Sequence, residues 1–132
     1  MNPGGTVDDM GTFRIDFEVA SQVLVDARAV VPGALVGTGS EATWIPAPLL
    51  ESLGIPRRKR ARFRQASGQL LERWLGPAIV FAAGTYASDD VVFAEPGDLT
   101  LLGARSLEGL NLHVDPVQKR LIDAGPMPAA AA

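Results

Sequence analysis

The sequence contains no cysteine and a single histidine, His113, among its 132 residues. Disulfide bonds and thiolate metal sites are therefore excluded, as is any metal site that needs a pair of histidines. One histidine also leaves little material for a Ser-His-Asp triad. No apolar run approaches the ~20 residues of a membrane-spanning helix, and residues 1–10 lack the basic-then-apolar layout of a signal peptide. We therefore expect a cytoplasmic protein with no membrane partner, no metal and no cofactor.

Charged residues are also few, at 20%, and the net charge is only -3. Together with 47% hydrophobic residues, this composition is typical of one globular domain with a sizeable core. Six of the twelve lysines and arginines fall in residues 57–64, RRKRARFR. Such a segment suits a nucleic-acid or acidic-peptide patch. We favour a solvated loop and the exposed face of a strand instead. The chain is acidic overall, and Phe63 is the only aromatic residue among these basic residues on which a base could stack. We expect no nucleic-acid partner.

The pattern of apolar residues is mostly that of β-strands. Residues 13–19 alternate apolar and polar side chains, as in a strand with one buried face. Residues 1–10 are predicted to be a disordered N-terminus, residues 11–124 one domain, and residues 125–132 a flexible tail. The other predicted elements are an extended piece at 23–25 and 30–31, a turn at 32–33, a buried strand at 34–36, a helix starting near 46–48 and stopping at Gly54, a hairpin over 61–75, a strand pair at 79–81 and 91–93, a helix at 104–110 and a final hairpin around 115–116.

Two short motifs stand out against this background. The buried strand at 34–36 runs into Gly37-Thr38-Gly39 and then Ser40, just before the first predicted helix. Taken alone, Gly37-Thr38-Gly39 is an ordinary tight turn. The second motif, apolar-apolar-glycine, also precedes a short helix, and a hairpin with a glycine-containing tip lies between the two motifs. The second motif consists of Leu101, Leu102 and Gly103, and the hairpin tip of Ala66, Ser67 and Gly68.

In this order the motifs resemble the retroviral-type (retropepsin-like) aspartic protease family, in particular its bacterial single-domain branch. Members have a buried strand ending in Asp-Thr-Gly, a flap hairpin and an apolar-apolar-Gly motif before a helix. The resemblance covers about residues 12–123 and implies an all-β fold with one or two short helices, closed as an acid-protease barrel and working as a homodimer. It assigns the catalytic turn to Gly37, Thr38 and Gly39, substrate contacts to Ser40, Glu41, Ala42, Ala66, Ser67, Gly68 and Gln69, and a structural role to Leu101, Leu102 and Gly103.

The sequence departs from the family at its centre, because Gly37 stands where the family has its catalytic aspartate. The resemblance implies an endopeptidase in which two aspartates, one from each subunit, share a proton and activate a water molecule. With glycine at this position neither an acid nor a base is present, and we expect the chain as written to be inactive. Two explanations stay open. Gly37 is either an engineered inactivating change or a natural loss that leaves a non-catalytic peptide-binding pseudoprotease or assembly module. Both imply a second copy of the chain and an extended peptide or protein as partners.

Four other side chains have two interpretations each. Asp26 follows an apolar pair, but Ala27 after it does not suit the catalytic turn, so a surface aspartate is favoured. Glu41 either contacts substrate backbone, as the resemblance implies, or is a surface charge beside a helix. Trp44 and Trp74 either line a substrate groove or, as we favour, pack in the core.

Overall fold

The computed structural model describes residues 13–37 and 39–130. Thr38 and the predicted disordered N-terminus, residues 1–10, lie outside the described residues. The strands are β1 (Phe13–Ala20), β2 (Ala29–Val36), β3 (Trp44–Pro46), β4 (Lys59–Arg64), β5 (Leu70–Ala82), β6 (Thr85–Ala94), β7 (Leu101–Leu102), β8 (Leu112–Asp115) and β9 (Arg120–Asp123), and the helices are α1 (Ala47–Ser52) and α2 (Ala104–Gly109). The expectation of an all-β chain with short helices is confirmed. No helix in the described ranges is long and apolar enough to cross a membrane.

Seven strands form one sheet in the order β1-β2-β7-β3-β6-β5-β4, and β1 also pairs with β5. This additional pairing joins six of the strands into a closed ring, with β4 attached outside it to β5. The pairs β2–β7 and β3–β6 are parallel, whereas the remaining pairs of this sheet are antiparallel. Strands β8 and β9 form a separate two-stranded sheet.

The fold buries two apolar clusters. The larger one takes side chains from most strands of the ring and includes Phe93, Ile45 and Leu50, none more than 2% exposed. The smaller one packs Trp44 and Val92 together with Ala42, Leu75 and Ala94. Each fully buried Leu, Ile, Val or Phe side chain contributes about 1.5–3 kcal/mol relative to its exposed state. The smaller cluster lies under the β4–β5 hairpin, since Phe63 and Leu71 of that hairpin pack against it.

Two predictions about the start of the chain are wrong. Residues 32–33 are not a turn between strands but a bulge within β2, where the register shifts between its pairs Ile15–Ala34 and Phe17–Val31. The φ of Gly33 is +61°, which glycine adopts without strain, and its N–H donates to Asp16 Oδ1 at 2.8 Å. The sequence signal at these residues therefore marks a bulge inside a strand and not a turn between two strands.

Residues 23–25, predicted to be extended, form no strand. The Ser21 hydroxyl accepts a hydrogen bond from the N–H of Leu24, and Ala27 N–H donates to Leu24 O, so this segment is a turn. Val23 is 87% exposed there. The apolar run therefore does not report burial at this position, and the second strand begins only at Ala29.

Most other elements are confirmed. All three residues of the strand at 34–36 are buried. Helix α1 is preceded by Pro46 as its N-terminal flanking residue, and Gly54 just beyond its end has a φ of +72°. The predicted hairpin over 61–75 and the final hairpin are present. Residues 79–81 and 91–93 belong to one hairpin, yet they are not opposite each other: residues 79–81 pair with residues 86–88.

Candidate functional site

The two sequence motifs meet through a parallel strand pair. Leu35 of β2 is the partner of Leu101 in β7, and Leu35 N–H donates to Thr100 O at 2.9 Å. At the end of β2 the N–H of Gly37 donates to Leu102 O at 3.5 Å. The two motifs are 64 residues apart in the chain, counted from Gly37 to Leu101, yet they lie side by side. Position 37 is therefore held by backbone contacts that do not depend on a side chain.

The loop from residue 39 to residue 43 passes directly over Gly103. A Cβ at position 103 would lie 2.2 Å from Ala42 O, a distance no real side chain tolerates. The start of α2 is bound to the same loop, because Ala104 N–H donates to Ser40 O at 2.8 Å and Arg105 N–H donates to Glu41 O at 3.0 Å. The third residue of the second motif is glycine because another backbone segment occupies the space of a side chain.

A buried chain of hydrogen bonds secures this crossing. Gly103 N–H donates to Thr43 Oγ1 at 3.0 Å, and Thr43 Oγ1 lies 2.6 Å from Ser106 Oγ. The Ser106 hydroxyl donates to Asp89 Oδ2 at 2.8 Å, so the Thr43 hydroxyl is the donor to Ser106. Thr43 and Ser106 are both fully buried, and Arg105 Nη2 holds the other carboxylate oxygen of Asp89 at 3.2 Å. Such chains strengthen each member bond and fix one geometry.

The sequence patterns did not predict this series of buried hydrogen bonds. Its two hydroxyl-bearing residues, Thr43 and Ser106, are 63 positions apart in the sequence. The available signal was weak: Thr43 lies among apolar residues before Trp44, where a polar side chain needs a buried partner. The identity of that partner is set by the fold.

The predicted flap hairpin is formed by β4 and β5. At its end Gln65 N–H donates to Gln69 O at 2.8 Å, and Gly68, with a φ of +90°, donates its N–H to Gln65 O at 2.8 Å. Ser67 Oγ accepts a hydrogen bond from Gln69 N–H at 3.3 Å. Residues 66–69 are all exposed. The tip is therefore a tight, glycine-dependent turn whose side chains are free to contact another molecule.

An open pocket of about 220 Å³ lies between the part of this hairpin next to its tip, residues 63–65 and 71, and the segment before β7. Its apolar wall includes Trp44, whose ring lies 4.9 Å from that of Phe63, centroid to centroid. Trp44 thus serves both the smaller core cluster and the pocket. The other apolar lining residues are Leu71, Leu99 and Leu101, and the polar ones include Arg64, Gln65 and Asp98.

One wall of the pocket is fixed by an ion pair between Arg73 and Asp98. Arg73 Nε and Nη2 donate to the two Asp98 carboxylate oxygens at 2.7 and 2.9 Å, a bidentate geometry. Both side chains are nearly buried, at 13% and 12% exposure. The bond from Arg73 lowers the pKa of Asp98, with a further contribution from Glu95 N–H at 2.8 Å, and outweighs the desolvation that raises it.

This ion pair makes stability depend on pH. Because the pKa of folded Asp98 is lowered, its stabilisation is present above the unfolded value of about 3.9 and is lost as pH falls through the folded value. We expect Asp98→Asn to reduce the free energy of unfolding by about 2 kcal/mol at pH 7 and far less near pH 2. Urea denaturation at both pH values measures the difference. Glu72→Gln, which removes the exposed pair with Arg60, is the control and should matter little at either pH. Equal losses at both pH values for Asp98→Asn would contradict this assignment.

The structure brings some of the predicted site residues together and leaves others apart. Gly37, the loop through Glu41 and Ala42, and the second motif are in direct contact. The pocket is lined by Leu101 and reaches the hairpin at Gln65, but its lining does not include residues 66–69. Gly39 is exposed, and Thr38 lies outside the described part of the chain.

The polar groups next to position 37 offer little chemistry. The Ser40 hydroxyl donates to Ala42 O at 2.9 Å, so it is engaged in the loop. The backbone carbonyl of Glu41 accepts a hydrogen bond from Arg105 N–H at the start of α2, whereas the residue itself is exposed. Within residues 13–37 and 39–130, no group of three His, Cys, Asp or Glu side chains is arranged to hold a metal ion. No protein-family model matches the chain, and no curated protein shows significant similarity to it.

Proposed function

We propose that this chain has a retropepsin-like fold, forms a symmetric homodimer and binds an extended peptide beneath its flap hairpins without cleaving it. The observation that carries the proposal is the crossing at the end of β2. There the parallel partner β7 and the loop over Gly103 hold position 37 in place. The contact between two distant motifs that resemble one family supports the proposal.

The small β8–β9 sheet supports the homodimer. One face of this hairpin packs on the larger core cluster through Leu112, Val114 and Leu121. Among the described residues its strands pair only with each other, so their outer edges have no partner strand. Apolar side chains near it are exposed, at 37% for Ile122, 73% for Met127 and 87% for Val117. A second copy, related by a two-fold axis, could pair its own hairpin with this one and bury the same surface twice.

The pocket and the hairpin support peptide binding. An extended peptide presents side chains at alternate positions, and a pocket of about 220 Å³ lined by Trp44, Phe63 and Leu99 suits an apolar side chain. The exposed tip at residues 66–69 is positioned at the end of a long hairpin, as in a flap that closes over a ligand. Glu41 and the loop around it are available for backbone contacts.

The absence of a side chain at Gly37 supports the inactive form of this function. General acid–base groups contribute roughly 10²–10⁴-fold each, and in a symmetric dimer both would be missing. The alternative is an aspartic endopeptidase whose position 37 has been changed. The two differ in whether an aspartate at that position restores peptide hydrolysis.

Peptide retention tests the binding function directly. We expect the immobilised chain to retain a subset of a pooled peptide library, recovered intact by mass spectrometry, and to sediment as a dimer. Leu99→Asp places a charge on the exposed pocket wall and should weaken retention about tenfold, since one apolar contact in a pocket is worth about 1–3 kcal/mol. Val23→Asp makes a similar change at an exposed site that lies outside both the pocket lining and the β8–β9 hairpin, and it is the control for retention. A folded monomer that retains no peptide would refute the proposal.

A further inference from the structure

We propose that the free edge of β4 is a docking site for an acidic peptide segment that adds to the sheet as an extended strand. This site is separate from position 37 and does not rest on the proposed function. It uses the basic segment at residues 57–64, of which only Phe63 and Arg64 take part in the pocket.

The alternation of β4 separates its apolar and basic side chains. Ala61 and Phe63 pack toward the smaller core cluster. Arg60, Arg62 and Arg64 project from the opposite face and are exposed. Alternate residues of a strand are spaced by about 6.8 Å. The three arginines therefore follow one another at even backbone spacing along one face of the strand, and together they are called the guanidinium row here.

The backbone N–H and C=O groups of β4 that do not bond to β5 belong to the same three arginines. Among the described residues β4 pairs only with β5. Gln65 N–H donates to Gln69 O, and hydrogen-bonded pairs alternate in an antiparallel ladder, so odd-numbered residues of β4 bond to β5. The N–H and C=O groups of Arg60, Arg62 and Arg64 then point outward at the edge. An added strand would bond to these groups and place its own alternate side chains beside the guanidinium row.

The charge on this face is only partly neutralised by the protein. Glu72 pairs with Arg60 at 3.2 Å. Within the described ranges, no carboxylate lies within ion-pair distance of Arg62 or Arg64. Arg64 Nη1 donates only to Gly68 O, at 3.3 Å. At least two guanidinium forks are thus open to carboxylates, with which they make bidentate pairs.

These features favour an acidic peptide over a nucleic acid. A single strand of nucleic acid binds through aromatic rings on which its bases stack. The aromatic ring on this face, that of Trp74, is partly buried and lies 5.1 Å from the guanidinium carbon of Arg60. A nucleic acid also offers no counterpart to the row of backbone groups. A basic edge strand can also serve only to prevent aggregation by strand pairing. The binding experiments distinguish this protective role from peptide docking.

Fluorescence anisotropy with labelled peptides tests the site. We expect the full chain to bind a short peptide in which glutamate alternates with threonine, and to bind it more weakly as salt is added. An isomer with the same glutamates in one block should bind several-fold more weakly, because its charges do not match the row. N-methylation of alternate residues should abolish binding, since it removes the N–H groups that pair with the edge.

Matched variants identify the surface. Arg62→Gln/Arg64→Gln should weaken binding of the alternating peptide about tenfold. Arg14→Gln/Arg28→Gln removes the same charge from another face and should leave binding unchanged. Equal binding by the N-methylated peptide, or tighter binding by oligothymidine, would overturn strand addition. Absence of binding at any salt concentration would mean that the edge is only protective.

Discussion

A Gly37→Asp version of this chain should hydrolyse peptides that the chain as written leaves intact. In the proposed homodimer a single substitution introduces two carboxylates, one from each copy. Two carboxylates held close together share a proton, so one acts as the base for a water molecule and the other as the acid. At roughly 10²–10⁴-fold for each group, the expected gain is the largest that one substitution in this chain can produce.

The described backbone hydrogen bond at position 37 does not depend on which side chain is present there. Gly37 N–H donates to Leu102 O, and this bond does not involve the side chain. The pH dependence is a further signature. Because the two carboxylates titrate as a pair, activity should follow a bell-shaped curve on the acidic side, with two apparent pKa values that belong to the pair. Mass spectrometry of a pooled peptide library, incubated from acidic to neutral pH, measures both activity and its pH profile.

Gly37→Asn is the matched control, since it has nearly the same size and cannot transfer a proton in the same way. It should stay inactive while it retains peptides. Cleavage by the unchanged chain would show that the reactive groups lie elsewhere, and the paired-carboxylate argument would be wrong. A folded, dimeric Gly37→Asp protein with no activity would favour the assembly module over the latent protease.

Local patterns predicted the elements near the site. The apolar residues 34–36 are a fully buried strand, and the two motifs lie in adjacent strands. The turn signal at residues 32–33 was misleading, because a glycine with positive φ serves a bulge as well as a turn. The extended interpretation of Val23 failed since an apolar residue on the surface has the same local sequence pattern as a buried one.

The side-chain contacts that shape the site could not be predicted in this way. Thr43 reaches Ser106 across 63 residues, and Arg73 reaches Asp98 across 25. These contacts depend on strand order, which no periodicity encodes. Local sequence specifies which face of a strand is apolar, whereas the closure of the ring determines which polar groups meet.

Gly103→Ala should destabilise the fold by about 3 kcal/mol or more. The added Cβ would lie 2.2 and 2.5 Å from the carbonyl oxygen and carbon of Ala42, and 2.9 Å from Glu41 O. These are backbone atoms, which cannot rotate away as the end of a side chain can. The φ and ψ of Gly103, -93° and 176°, are ordinary extended values. The requirement for glycine therefore comes from space and not from backbone conformation.

Relief of this clash must move the loop or α2. Movement of either lengthens the bonds from Gly103 N–H to Thr43 and from Arg105 N–H to Glu41, so peptide retention should fall together with stability. Urea denaturation measures the first effect and the retention assay the second. Gly39→Ala is the control for stability, because a Cβ at that position meets no atom within 4 Å. If Gly103→Ala unfolded at the same urea concentration as the unchanged chain, the crossing over Gly103 would not be part of the fold. The proposed function would then lose the observation that carries it.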